Sequence, residues 1–306
     1  MRPRIDGAAA VGLTGVGARP EAALGSRDHL SLLRRAASGS ATRSAGGQLQ
    51  RVTPAEAGWR YLSFEAHRLT AGDSLHINAK GQESLIIVLE GTATVRAGNR
   101  TFSDLGTRDS VFDGRPPAMV LVEPGGRIEV DAGREALIAV GSAPAGDLRT
   151  TRAIEPGDIL AEARGTGNTE RRIHHLLPSS AEAGRLIAFE VFTPGGNWSS
   201  YPPHKHDTED PPRESYLEEL YYYRLAKPTG FAFQRIYTPD RSLDEALVAR
   251  DGDLVLVPRG YHVVATAPGY DCYYLNVMAG PTREWRFTVD PDHVWLMDWD
   301  PARPRR

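Results

Sequence analysis

The chain has 306 residues, 41% hydrophobic and 25% charged, room for one large domain or two of medium size with an ordinary globular balance. Its 36 basic and 39 acidic residues leave a net charge of −3, which removes the electrostatic case for a nucleic-acid partner. A single cysteine, Cys272, excludes an internal disulfide and a cysteine-based zinc cluster and fits a reducing compartment; no apolar run reaches the ~18 residues of a membrane helix.

Residues 1–27 are rich in Gly, Ala and Arg without periodicity and read as a disordered extension. Arg2 and Arg4 before Ala8–Leu13 imitate a signal peptide, but Asp6 and the interleaved glycines break the apolar stretch and no cleavage site follows. A helical turn is expected around Leu30–Leu33 and a loop over 38–49. From Val52 onward the pattern is β. The runs Trp59–Phe64, Ser84–Leu89, Thr92–Val95, Met119–Val122 and Ala136–Val140 are short, β-branched and closed by turn residues. Ile154–Thr169, with three Gly-containing turn pairs, reads as a linker. Strands resume at Leu186–Phe192, Glu219–Tyr223, Phe231–Tyr237, Leu254–Val257 and Tyr273–Met278. With 31 glycines and 22 prolines, the chain favours an all-β sandwich or barrel over a helical bundle. Val120-Leu121-Val122-Glu123-Pro124-Gly125-Gly126 echoes Val255-Leu256-Val257-Pro258-Arg259-Gly260-Tyr261. A duplicated β-barrel is the economical reading, with a first barrel over 28–165 and a second over 166–306. The second half is richer in His and Tyr, so the chemistry is expected there.

His204-Lys205-His206 puts two imidazoles on one face of a strand, the spacing of two ligands on one metal. Glu219 lies in a strand-like run on the face of Tyr221 and Tyr223, and His262 follows a strand that runs into a turn. Three His and one carboxylate form a set that suits zinc, manganese or iron with positions open for water or substrate. The competing reading is a group of polar rim residues bonded to one another. Glu218 is the rival carboxylate; parity with the tyrosines favours Glu219. Adjacent His174 and His175 point to opposite faces and do not share a metal, and His29, His67, His76 and His293 are isolated. Tyr221, Tyr222, Tyr223, Tyr237, Tyr261 and Tyr274 either line a polar, sugar-sized pocket or pack the core. Arg235 either forks onto a substrate carboxylate or makes a surface salt bridge. The sequence contains no GxGxxG, P-loop or GxSxG, and the sequons at Asn99 and Asn197 read as accidental.

The runs Thr193–Asp207, Gly230-Phe231 with Gln234–Thr238, Leu256–His262 and Tyr273–Pro281 resemble the bacterial 5-deoxy-glucuronate isomerases of myo-inositol catabolism, over about Leu32 to Trp299. The resemblance implies a bicupin: two cupin-type β-barrels (double-stranded β-helix or jelly-roll) in one chain, metal-free in the first and with one divalent ion in the second. The metal set implied is His204, His206, Glu219 and His262, with zinc expected first and manganese or iron as alternatives. The spacing from His206 to Glu219 exceeds the general cupin motif, and Asp210-Pro211-Pro212-Arg213 inside it predicts a loop that interrupts the strand.

The implied reaction is the aldose–ketose isomerisation of 5-deoxy-D-glucuronate to 5-dehydro-2-deoxy-D-gluconate, without a redox cofactor. Glu219, a metal-bound water or Tyr223 is the base, a hydride shift being the alternative to proton transfer, and Arg235 meets the substrate carboxylate. Expected partners are a small uronate and further copies of the chain in a homo-oligomer, with neither nucleic acid nor membrane, in the cytoplasm. Rival readings are the related uronate ketol-isomerase of pectin breakdown, a cupin dioxygenase and a non-catalytic sugar-binding barrel.

Overall fold

The computed structural model describes residues 31–36 and 47–299, so the expectations for residues 1–27 and for most of the 38–49 loop lie outside the described residues. Four antiparallel sheets account for the strands. In the first half, a six-stranded sheet runs in the order Arg152–Ile154, Ala118–Val122, Gln82–Glu90, Ala136–Pro144, Ser63–Leu69, Gln48–Val52. It faces a four-stranded sheet ordered Ser74–Asn78, Arg127–Ala132, Ala93–Ala97, Arg100–Leu105. In the second half, a seven-stranded sheet runs Leu33–Arg34, Leu254–Val257, Glu218–Leu225, Cys272–Ala279, Leu186–Thr193, Arg171–Leu177, Leu160–Arg164. Its partner has five strands, Asp244–Ala249, Ala232–Tyr237, Tyr261–Thr266, Trp198–Lys205 and Thr288–Val289.

Alternation along each strand assigns the side chains to separate cores. Ile86, Val88, Val120 and Ile138 fill the interior of the first barrel, whereas Leu85, Ile87, Leu89 and Leu121 point out of it. These outward residues pack against Leu186, Ala188, Leu220, Leu254, Leu275 and Val277 of the seven-stranded sheet. Both large sheets are therefore buried on both faces, which is why Leu85–Leu89 and Leu254–Val257 read as unbroken apolar runs instead of alternating ones. The interior of the second barrel holds Tyr221, Tyr223, Tyr274 and Val264.

Two boundaries differ from the sequence reading. Leu33–Arg34, assigned to the first barrel and with Leu33 in the expected helical turn, pairs with Leu254 and Val255, and Arg35 beside it bonds Asp253 at 2.7 Å. Leu160–Arg164, expected in a linker ahead of 165, pairs with Arg171–His175 as the outer strand of the seven-stranded sheet. In both cases an open sheet edge supplies a row of backbone partners, which outweighs local propensity in segments this short. Among the described residues, no helix is long and apolar enough to cross a membrane.

Candidate metal centre

His204 ends the strand Trp198–Lys205 and pairs across the sheet with His262. A long bulge between Ser199 and His204 lets the two imidazoles meet, their ring centroids 4.7 Å apart. His206 follows, and residues 207–216 then form the interrupting loop before Glu218–Leu225 begins. That loop is bonded internally: Glu214 accepts from the Asp207 and Thr208 backbone amides and from Lys205 Nζ. His206, Glu219 and His262 each place one ligand atom within 4.8 Å of the others, and all three are buried. The ring of His204 lies beside this group, 6.3 Å from that of His206. The four residues predicted as ligands therefore converge, with His204 at the cavity side.

Hydrogen bonding fixes the tautomers. Nδ1 of His204 meets the Pro202 carbonyl at 2.9 Å, Nδ1 of His206 the Leu217 carbonyl at 3.1 Å, and Nδ1 of His262 the Gly260 carbonyl at 3.3 Å. A carbonyl only accepts, so each Nδ1 carries the proton and each neutral ring presents the lone pair of Nε2. Nε2 of His206 and of His262 face the same Glu219 oxygen at 2.9 and 3.0 Å. Nε2 of His262 is buried yet makes no hydrogen bond of acceptable geometry. Lone pairs aimed at a carboxylate are repulsive unless a cation stands among them, so this donor set fits a bound divalent ion. The second Glu219 oxygen accepts from Asn276 Nδ2 at 2.5 Å, which fixes the carboxylate plane.

Electrostatics couple the same groups to one another. Burial opposes the charge of Glu219, but His262 and His206 hold its carboxyl well below the usual range. For His206 burial likewise disfavours charge, and Glu219 overrides it, raising the imidazole. His204, desolvated and next to His262, is pushed down to about 3 and stays neutral.

The centre opens on a cavity of about 410 Å³. Its lining includes His204, Glu219 and Asn276, with Tyr221, Tyr274, Ser200, Phe189 and Trp285, and with Arg164, Arg171 and His175. The hydroxyl of Ser200 lies 3.0 Å from that of Tyr221 and 3.3 Å from that of Tyr274, a hydroxyl cluster suited to a polyol.

Other predicted residues lie elsewhere. Arg235 points outward from the five-stranded sheet, forks onto Asp244 at 2.9 and 2.8 Å and stacks on Tyr237; the salt-bridge alternative holds, because strand alternation turns Gln234 and Ile236 inward instead. Tyr223 is fully buried beneath the cavity and donates its hydroxyl to Gln234 at 2.8 Å. Tyr222 faces the inter-sheet core against Phe64, and the Tyr237 hydroxyl bonds Asp290. Glu218 turns away from the centre and accepts from the backbone amides of Arg60, Tyr61 and Leu62 at 2.7–2.8 Å. His174 bonds Glu190 in the inter-sheet core, whereas His175 lines the cavity wall. Ser200, Asn276, Arg171 and His175 were not singled out as site residues, since each belongs to the cavity only through strand pairing.

The KduI/IolB family pattern matches residues 35–296. The 5-deoxy-glucuronate isomerase of Geobacillus thermodenitrificans is 48% identical over 252 residues, 82% of this chain and 92% of that protein. The crystal structure of an IolB-like protein from Salmonella typhimurium superposes with a TM-score of 0.83 at 41% identity, covering 87% of this chain and 99% of the other. Oxalate decarboxylase from Lactobacillus farciminis shares the fold alone, with a TM-score of 0.58 at 14% identity over 84% and 87% of the two chains.

Proposed function

The chain belongs to the KduI/IolB family, and from that premise we propose that it converts 5-deoxy-D-glucuronate to 5-dehydro-2-deoxy-D-gluconate. It is an aldose–ketose isomerase of cupin fold. The observation that carries the reading is the convergence of His206 Nε2 and His262 Nε2 on one Glu219 oxygen, with the His204 ring beside them, at a hydroxyl-lined, sugar-sized cavity.

His204, His206, Glu219 and His262 would hold one divalent ion, zinc in our reading, with manganese and iron compatible with the same donors. When bound, such an ion supplies Lewis-acid stabilisation for charge developing on adjacent substrate oxygens. The remaining chemistry falls to the side chains. Tyr221, Ser200 and Tyr274 orient the substrate hydroxyls through their shared hydrogen bonds. The C2–H bond breaks, its proton is delivered to C1, and the C2 hydroxyl proton passes to the aldehyde oxygen, so atoms balance without a redox partner. Glu219 is the anionic acceptor that opens to the cavity, and Asn276 holds it in place, so it takes the C2 proton. Tyr223 is displaced from this role by its bond to Gln234. Phe189, Trp285 and Phe287 limit water around the reacting carbons.

We also infer a homo-oligomer and a cytoplasmic enzyme. The test of function is purified protein incubated with 5-deoxy-D-glucuronate and, separately, with the uronate ketose precursor of pectin breakdown, alongside elemental analysis. The expected result is aldehyde loss with the first substrate and about one divalent ion per chain. Turnover of only the second, or full activity after complete metal removal, refutes the reading.

A further inference from the structure

We propose that Arg171 is the residue that reads the substrate carboxylate, and so sets the preference for an acid over a neutral sugar. This rests on the isomerase reading for the identity of the acid, and on the cavity for everything else. Arg171 opens the strand Arg171–Leu177 and lines the same cavity as Glu219 and His204. It is 7% exposed. Its two recorded bonds go to backbone carbonyls, Nη1 to Thr169 at 2.8 Å and Nη2 to Tyr201 at 3.1 Å.

Among the described residues no carboxylate forms an ion pair with it. The candidate anion, Glu162, is committed elsewhere: it accepts both Nε and Nη2 of Arg164 at 3.0 and 2.8 Å and meets His175 Nε2 at 2.9 Å. Burial pulls the Arg171 guanidinium down from its ordinary value; Arg164 adds to this, while Tyr274 and Glu162 oppose it. A buried cation left without an anion is costly to keep. A planar fork with free N–H groups, lining a cavity that Glu219 also lines from a strand three places along the sheet, matches a substrate with an aldehyde at one end and a carboxylate at the other. Arg235 is exposed, already neutralised by Asp244 and not among the residues lining this cavity.

The decisive measurement is steady-state kinetics on metal-loaded enzyme with 5-deoxy-D-glucuronate and with its carboxyl-reduced counterpart, 5-deoxy-D-glucose. Wild type should favour the acid. Arg171→Gln keeps a donor for the backbone carbonyls and removes the charge. It should raise KM for the acid by about 10–100-fold, the range of a charge-assisted hydrogen bond. Its kcat should change little, its kcat/KM for the neutral sugar should stay constant, and its metal content should be unaltered. Arg171→Lys, which keeps charge but not the fork, should recover part of the preference, and it carries the same ratio test if the Gln variant does not fold. An unchanged acid-to-neutral ratio in whichever variant folds overturns the assignment, as does an equal loss for both sugars. If wild type does not turn over 5-deoxy-D-glucuronate, the reaction is refuted, and calorimetric titration with D-glucuronate against D-glucose decides Arg171 separately. Acid-specific binding that Arg171→Gln abolishes supports the assignment; equal binding of the two sugars ends it.

Discussion

The two barrels place the same backbone around very different interiors. Strand pairing puts their positions in register: Ile77 faces Ile128 in the first barrel as His204 faces His262 in the second. The Leu217 amide donates to the His206 carbonyl, and the Gln82 amide donates to that of Ala79, so Ala79 stands where His206 does. Ser84 occupies the position of Glu219, Ile86 that of Tyr221, and Val140 that of Asn276. The four proposed ligands, His204, His206, Glu219 and His262, thus correspond to Ile77, Ala79, Ser84 and Ile128 in the other barrel. The scaffold itself is kept. Glu83 accepts from the amides of Gly184, Arg185 and Leu186, while Glu218 accepts from those of Arg60, Tyr61 and Leu62, each carboxylate reaching into the opposite half. The lesson is that this fold tolerates either an aliphatic filling or a polar centre at the same positions, the polar centre carrying a buried His262 Nε2 without a hydrogen bond that a cation would satisfy. Connecting length differs too: two residues, 80–81, separate Ala79 from Gln82, whereas ten, 207–216, separate His206 from Leu217.

Making the second barrel like the first should have the largest effect. Glu219→Ser installs the residue found at the matching position, and should reduce bound divalent ion towards zero. Loss of a Lewis acid worth several kcal/mol should lower kcat by about a hundredfold or more. Elemental analysis and the aldehyde assay read both effects, and retained metal would mean that the comparison of the two interiors misplaces the centre.

Next in size is the junction that both barrels share. Arg108, 1% exposed, forks onto Glu190 at 2.9 and 2.8 Å, while His174 and Tyr273 complete the carboxylate's partners. Glu190→Ala strands that guanidinium and should cost roughly 3–5 kcal/mol in urea unfolding. Burial works against the Glu190 charge, but Arg108 and His174 outweigh it and keep the carboxyl below its usual 4.5. Its contribution is therefore full above about pH 4.5 and is lost as pH falls through the lower native value. Replacing both Arg108 and Glu190 with Met should flatten the drop in Tm as pH falls below 4.5; an equally steep drop would place the acid sensitivity elsewhere.

The smallest expected effect comes from the aliphatic interior. Ile86→Val should cost about 1 kcal/mol of stability through the methyl group removed and leave kcat/KM untouched. A change in catalysis there would show that the first barrel does more than support the second.

Much of the site was legible in the chain. The alternation His204-x-His206, the parity of Glu219 with Tyr221 and Tyr223, and His262 after an apolar strand all follow from the period of two, which depends on local backbone geometry alone. The same rule separated Glu219 from Glu218, and the Pro-rich stretch before Tyr216 marked the interrupting loop. Parity states that two side chains share a face, however, without stating which face the fold buries. Arg235 and Tyr223 both obey the alternation, yet one looks outward to Asp244 and the other lies under the cavity floor. Arg171, Ser200 and Asn276 carry no local signal, since strands from distant parts of the chain bring them to one cavity. What the chain determined by itself was strand character, duplication and which side chains share a strand face, because these depend on short-range stereochemistry and composition. Tertiary structure alone decided the edge pairings of Leu33–Arg34 and Leu160–Arg164, and which arginine is buried without a counter-ion, because both depend on free energies set by partners far away in sequence.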